Sequence, residues 1–105
     1  MEVQKMAEKI LHSYETIFII DASLEEDAVK ALQEKFTSLI SNNGTVETVD
    51  EWGKRRLAYE INDRTEGFYV LVDFKADPEF PKELDRQYRI TDGILRTIIV
   101  RKDEN

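Results

Sequence analysis

The eight residues 68–75, with the sequence FYVLVDFK, form the most regular apolar pattern in the chain. Successive side chains of a strand point to opposite faces of a sheet, and here both faces receive apolar residues. One face carries Phe68, Val70, Val72 and Phe74, and the other carries Tyr69, Leu71 and Asp73. A strand that is apolar on both faces predicts an interior position in a sheet.

Three further strands and two helices are predicted around this stretch. Residues 14–20 alternate in the same way and also have two largely apolar faces. Residues 45–61 read as a long strand or as a pair of strand pieces, 62–67 as a polar turn, and 94–102 as the last strand. The helices are predicted over 23–43 and from Asp77 onward, with Phe80, Leu84 and Tyr88 facing the core at four-residue spacing.

The resulting order is strand, helix, strand, strand, helix, strand. This order is typical of the α+β ferredoxin-like fold, the split β-α-β arrangement (βαββαβ), in which two helices cover one face of a four-stranded antiparallel sheet. Right-handed crossovers put the first and third strands in the middle. We expect a single domain over residues 14–102, a flexible or partly helical N-terminal arm over 1–13, and a short tail over 103–105.

Local patterns predict how the elements begin and where they are irregular. Ser23 and Glu26 fit a capping box for the first helix, and Gly44 fits a left-handed stop after it. A bulge is expected between Val46 and Val49, because their spacing of three breaks the alternation, and another irregularity is expected at Gly53. The apolar stripe of the first helix is predicted to consist of Ala28, Leu32, Phe36, Leu39 and Ile40.

Composition limits the classes of function. The chain has 105 residues, no cysteine and a net charge of −7. Its length allows one hydrophobic core, no stretch is apolar for long enough to span a membrane, and the lack of cysteine favours a reducing compartment, so we expect a cytoplasmic protein. The charge argues against non-specific binding to nucleic acid, although the cations form two local groups. These groups are Lys54, Arg55 and Arg56, and then Arg86, Arg89, Arg96, Arg101 and Lys102.

No catalytic set stands out in the sequence. His12 is the only histidine and falls in the expected arm, and the four glycines stand singly rather than in a phosphate-binding loop. No spacing of histidine, cysteine and acidic residues indicates a metal site. We therefore expect a binding protein, not an enzyme, with no cofactor and no small-molecule substrate.

The sheet face that the helices leave uncovered is the predicted binding surface. It combines apolar and aromatic residues with cations, which suits a protein or an RNA partner, although the arm or a second copy of the chain would also cover it. The predicted members of this face are Ile17, Ile19, Tyr69, Leu71, Arg96, Ile98, Val100 and Lys102. The run Lys54 to Arg56 fits either phosphate contacts or protection of an edge strand, and Trp52 fits either stacking on a partner or ordinary packing.

Four segments together resemble the bacterial small-subunit ribosomal protein S-six family. They are Tyr14-Glu15, the run Gly53-Lys54-Arg55-Arg56-Leu57-Ala58-Tyr59-Glu60-Ile61, Gly67-Phe68-Tyr69, and the run Tyr88-Arg89-Ile90-Thr91-Asp92-Gly93-Ile94-Leu95-Arg96. The resemblance extends over residues 13–102 and implies the same fold. It also implies a structural role in the small subunit, with binding to 16S ribosomal RNA in partnership with ribosomal protein S-eighteen.

The resemblance also suggests which residues contact which partner. We expect Tyr14, Arg89, Arg96 and Lys102 to lie toward the RNA. We expect Trp52, Lys54, Arg55, Arg56 and Ala58 to lie toward the partner protein. Two alternatives on the same topology are a stand-alone RNA-recognition module, for which Phe68, Tyr69 and Phe74 would supply aromatic contacts, and an acylphosphatase type of enzyme, for which suitable residues are missing.

Overall fold

The computed structural model describes residues 11–61 and 64–102 of the chain. Its elements, in chain order, are β1 (His12–Asp21), α1 (Glu26–Asn43), β2 (Gly44–Ile61), β3 (Arg64–Ala76), α2 (Phe80–Arg89) and β4 (Ile94–Arg101). The expectations for the first ten residues of the arm and for the tail over 103–105 fall outside the described residues. His12 and Ser13, which were expected in the arm, form the start of β1 opposite Ala76 and Lys75.

The four strands form one antiparallel sheet in the order β2-β3-β1-β4. The predicted α+β ferredoxin-like arrangement is confirmed, with the first and third strands in the middle and the second and fourth at the edges. On the face without helices, Ile17 of β1 lies opposite Leu71 of β3 and Ile98 of β4. These register positions fix which side chains share the uncovered face.

The core lies between the other sheet face and the two helices. Phe18 of β1, Phe36 of α1 and Tyr88 of α2 meet there, with ring centroids 4.6 to 5.5 Å apart. The predicted four-residue pattern of α2 is confirmed, because Phe80, Leu84 and Tyr88 are buried. In α1 the stripe is shifted by one position at its start, since Val29 is buried and Ala28 is exposed.

The predicted cap of α1 is wrong. The helix begins after Glu25, and no side chain caps it. The Ser23 hydroxyl instead donates to Asp21 Oδ1 at 2.8 Å, and the Ser23 backbone N–H donates to the same oxygen at 2.9 Å. The carboxylate two residues earlier therefore holds Ser23 in an Asx turn, which leaves it outside the helix.

Strand β2 is irregular at both predicted places. Its register against β3 shifts between Val46 and Thr48 and again between Glu51 and Gly53, which places bulges at Glu47 and Trp52. Gly53 has φ +83°, a left-handed conformation that a side chain would strain. Gly44 is in contrast extended, and its role is steric, because a Cβ there would lie 2.1 Å from the carbonyl oxygen of Lys75.

The predicted polar turn over 62–67 is too long. Strand β3 already begins at Arg64, which pairs with Ile61. Strand β1 ends opposite Gly67, so the β2–β3 hairpin projects past the end of β1. We call this projecting part, residues 55–61 and 64–67, the hairpin end.

Candidate partner-binding face

The uncovered sheet face carries apolar side chains that are open to solvent. Ile98 is 47% exposed and Val100 48% exposed, and both lie on the edge strand β4. On β1 and β3 the same face continues with Ile17 and Leu71, which are half-buried. Contiguous exposed apolar patches are typical of surfaces that bind a protein or another ligand.

The hairpin end bends back over one half of this face and forms an apolar groove of about 250 Å³. The groove is lined by Ile17, Ile19, Leu57, Tyr59, Ile61, Tyr69, Arg96, Thr97 and Ile98. Gly67 lets the hairpin approach β1 closely, because a Cβ at this position would lie 2.3 Å from Ile19 Cγ2. Leu57 and Ile19 are buried beneath the bend, while Tyr59 and Ile98 remain exposed on the walls.

Tyr59 and Arg96 close the groove on one side. The guanidinium carbon of Arg96 lies 5.5 Å from the centroid of the Tyr59 ring. One terminal guanidinium nitrogen also donates a hydrogen bond to the Tyr59 hydroxyl. Among the described residues, Arg96 is the only charged one in the lining, so this part of the groove is apolar with one cation at its rim.

The other half of the uncovered face is polar. Asp73 of β3 accepts a hydrogen bond from Lys102 Nζ at 3.1 Å and another from the Thr48 hydroxyl at 2.9 Å. The bond to Asp73 raises the pKa of the Lys102 ammonium. Lys102 is also anchored through its backbone, whose N–H donates to the carbonyl oxygen of Ser13 at 2.7 Å.

The four residues predicted to face RNA do not lie together. Arg89 and Arg96 line a shallow groove between the end of α2 and the start of β4, and Arg89 is held by Asp85 at 3.2 Å. Lys102 lies at the opposite end of β4, about 20 Å along the strand at ordinary rise per residue. Tyr14 lies on the helix side of the sheet, 6% exposed and stacked on Phe74. Tyr14 is therefore part of the core, and its contact with RNA remains a prediction.

The residues predicted to face the partner protein follow the edge strand β2. Trp52 is 39% exposed and stacks on Tyr69 with ring centroids 5.8 Å apart, while its indole N–H donates to Asp50. Arg55 donates to the carbonyl oxygen of Trp52 at 3.1 Å. Lys54 and Arg56 are exposed at the edge. The side chain of Ala58 lies outside the described part of the structure.

Phe68, Tyr69 and Phe74 do not together form the surface that an RNA-recognition module requires. Phe68 and Phe74 lie on the helix side and pack into the core. Tyr69 alone points to the uncovered face, where Trp52 covers its ring. Stacking on single-stranded bases needs accessible aromatic rings, and here Trp52 covers the Tyr69 ring, Phe74 is buried, and Phe68 is half-buried against the core.

Sequence reasoning missed the contribution of Tyr59 and Asp73. The alternation of Leu57, Tyr59 and Ile61 was visible, but the bend that carries Tyr59 to Arg96 depends on a contact between opposite edges of the sheet. Within residues 11–61 and 64–102 no group of three or more His, Cys, Asp or Glu side chains could hold a metal ion. No helix in the described residues is long and apolar enough to cross a membrane.

Comparisons with known proteins agree with the fold and add a family. The model of the family described as Ribosomal protein S6 matches residues 13–101. The small ribosomal subunit protein bS6 of Clostridium perfringens strain SM101 is 59% identical over 95 residues, which cover 90% of this chain and all of that protein. Its counterpart in Clostridium beijerinckii is 60% identical over 91 residues, 86% of this chain and 96% of that protein. The crystal structure of 30S ribosomal protein S6 from Thermotoga maritima superposes with a TM-score of 0.84 at 32% identity and 89% coverage of each chain.

Proposed function

The chain belongs to the ribosomal protein S6 family of the small ribosomal subunit, and from this premise we propose that it binds 16S ribosomal RNA jointly with ribosomal protein S-eighteen. Its role in the subunit is structural, and its place is the cytoplasmic ribosome. The uncovered sheet face is the proposed docking surface for the partner protein. The end of α2 and the start of β4 form the proposed RNA surface.

The observation that carries the proposal is the apolar groove with exposed walls on the uncovered face. Tyr59 is 59% exposed and Ile98 47% exposed, although both are large and apolar enough to gain from burial. A protein partner that covers them removes this apolar surface from water. Trp52, Lys54, Arg55 and Arg56 border the same face along β2, where they extend the proposed contact with the partner.

The proposed RNA surface has few cations. Arg89 and Arg96 border one groove, while Lys102, a separate predicted contact at the other end of β4, is partly neutralised by Asp73. With a net charge of −7, the chain alone attracts phosphates weakly. Joint binding resolves this weakness, because the partner supplies further positive charge and holds the chain against the RNA.

The experiment measures the affinity of the chain for a 16S ribosomal RNA fragment with and without saturating S-eighteen, at one stated salt concentration. Coupling between two binding events commonly changes affinity by about 5- to 150-fold, and we expect a gain in this range. Ile98→Asp places a charge in the groove and should abolish the gain, whereas Lys30→Asp on exposed α1 serves as the control. Equal affinities with and without the partner would contradict the proposal.

The RNA surface is tested separately with Arg96→Ala. We expect a loss of RNA affinity of about 1 kcal/mol and a flatter dependence on salt, because one phosphate contact disappears. The fold should be unchanged, as shown by circular dichroism and by the midpoint of urea unfolding. An unfolded variant would mean that Arg96 acts in the fold and not in RNA binding.

A further inference from the structure

Tyr59 and Arg96 join the two edges of the sheet. Tyr59 belongs to β2 and Arg96 to β4, and strands β3 and β1 lie between them in the sheet. The bend of the hairpin end brings the ring of Tyr59 to 5.5 Å from the Arg96 guanidinium carbon, and the Tyr59 hydroxyl accepts a hydrogen bond from the same group. Two interactions therefore join these side chains, a cation–π contact with the ring and a hydrogen bond to the hydroxyl.

The contact holds a side chain that would otherwise be mobile. Arg96 is exposed, and no salt bridge to a carboxylate is found for it within the described residues. A free arginine side chain loses rotamer freedom when it binds a phosphate, and this loss weakens binding. Tyr59 removes part of that cost in advance, because its ring and hydroxyl fix the guanidinium in one orientation.

The pair also stands at the boundary between two surfaces. Tyr59 and Arg96 both line the apolar groove, and Arg96 lines the second groove with Arg89 as well. Tyr59 remains 59% exposed, so its position adds little to the core. A molecule seated in the apolar groove would contact Tyr59 on its exposed side and restrict it further.

We propose that Tyr59 is a positioning residue for Arg96, and that through this pair a partner seated in the apolar groove strengthens the grip of Arg96 on an RNA phosphate. This inference rests on the proposed function, which supplies the two partners. The inference is that the contact between Tyr59 and Arg96 couples partner binding to RNA binding. The chain binds RNA more tightly with the partner because Arg96 is then held in place before the phosphate arrives.

The test is a double-mutant cycle on RNA affinity, measured once without S-eighteen and once with S-eighteen at saturation, where weaker partner binding has no influence. If the partner acts through the pair, Tyr59→Ala should lose more affinity with S-eighteen than without it, and equal losses in the two conditions would overturn that part of the inference. The variants are Tyr59→Ala, Arg96→Ala and the two combined, with Tyr59→Phe to keep the ring and remove the hydroxyl. We expect Tyr59→Ala to lose about two- to tenfold in RNA affinity, and Tyr59→Phe to lose less. In the Arg96→Ala background, Tyr59→Ala should cause no further loss, because the residue acts through Arg96.

Ile98→Ala is the matched control, since Ile98 lines the same groove and its aliphatic side chain has neither a ring nor a hydrogen-bonding group to hold the guanidinium. Any loss that it causes should persist in the Arg96→Ala background. A second readout uses the free protein: the side-chain ¹⁵N–¹H signal of Arg96 should show ring-current shifts that disappear in Tyr59→Ala and remain in Tyr59→Phe. This signal depends on position alone and is independent of any partner.

The outcomes separate this inference from the proposed function. Equal losses from Tyr59→Ala with and without Arg96 would overturn the positioning role and leave the RNA surface intact. An Arg96→Ala variant that binds RNA as tightly as the original chain would remove Arg96 from the RNA surface, and the positioning role would fall with it. Loss in the original background only, together with the disappearance of the ring-current shift, supports the inference.

Discussion

The hydroxyls of Thr16 and Tyr88, 72 positions apart in the chain, lie 2.9 Å from each other in the core. Thr16 also donates to the carbonyl oxygen of Ile98 at 3.0 Å. A hydroxyl has one proton, so Tyr88 is the donor to Thr16, and the three groups form a chain from α2 through β1 to β4. This chain satisfies two buried hydroxyls and connects three elements.

The direction of the chain predicts unequal effects of removing its two hydroxyls. Thr16→Val leaves the buried Tyr88 hydroxyl without an acceptor, whereas Tyr88→Phe removes the donor and leaves Thr16 its bond to Ile98. We expect Thr16→Val to cost about 1–3 kcal/mol of the free energy of unfolding and Tyr88→Phe about 1 kcal/mol. Urea unfolding measures both, and a larger loss for Tyr88→Phe would contradict the assigned direction.

Alkaline pH should destabilise the fold through Tyr88. Burial raises the pKa of the Tyr88 hydroxyl above its ordinary value, so the native state keeps a proton that the unfolded state releases. The contribution of Tyr88 to the free energy of unfolding is fully present below about pH 10, which is the ordinary pKa of tyrosine. It is lost as the pH rises above that value. The free energy of unfolding should fall less steeply between pH 10 and 12 in Tyr88→Phe than in the original chain. Parallel slopes would show that Tyr88 titrates normally.

Two glycines should respond differently to alanine. Gly53 has a positive φ with open space around it, so Gly53→Ala should cost about 1–2 kcal/mol from backbone strain alone. At Gly67 the added Cβ would collide with Ile19, which forces the hairpin end away from β1. Overpacking of this kind costs about 1–3 kcal/mol, and we expect Gly67→Ala also to weaken partner binding. Normal partner binding by Gly67→Ala would show that the groove tolerates the shift.

Acidic pH should act on α2 through Glu83. Hydrogen bonds from Arg86 and then Gln87 lower the pKa of the Glu83 carboxyl to about 2. Its stabilising contribution is present above the ordinary carboxyl value near pH 4 and is lost as the pH falls toward 2. Arg86→Ala should return the pKa of Glu83 toward the ordinary value in an NMR titration. Lys82→Ala removes a cation from the same helix and should leave that pKa unchanged.

Removal of the Asp73 carboxylate should strengthen RNA binding. In Asp73→Asn the ammonium of Lys102 loses its ion pair and the uncovered face loses a negative charge, so we expect about a twofold gain in RNA affinity at low salt. Glu34→Gln, which makes the same change in net charge on the exposed side of α1, is the control. An equal gain in both variants would show that net charge alone matters and that Lys102 has no special position.

The parts of the structure that follow a short-range period could be predicted. The two apolar faces of 14–20 and 68–75 identified the central strands, and the irregular spacing of Val46 and Val49 identified a bulge in β2. Hydrophobic alternation involves only neighbouring residues, so it can be read directly from the sequence.

The parts that depend on long-range contacts could not be predicted. Ser23 could cap α1 or bond to Asp21, and the geometry of the turn between β1 and α1 determines that it bonds to Asp21. The resemblance predicts Tyr14 near the RNA, whereas its alternation with Thr16 and Phe18 predicts the core side of the sheet, where the structure has it. The pairing of Tyr59 with Arg96 requires the bend of the hairpin end, which no period in the sequence encodes.

The two bulges of β2 have a consequence for self-association. As one of the two edge strands, β2 offers a long row of backbone donors and acceptors with which another polypeptide could pair. The extra residues at Glu47 and Trp52 break that row into short pieces and turn it out of plane, so an added strand cannot zip along its full length. The two bulges that border the uncovered face thus make it less favourable for a second strand to pair along the whole of β2.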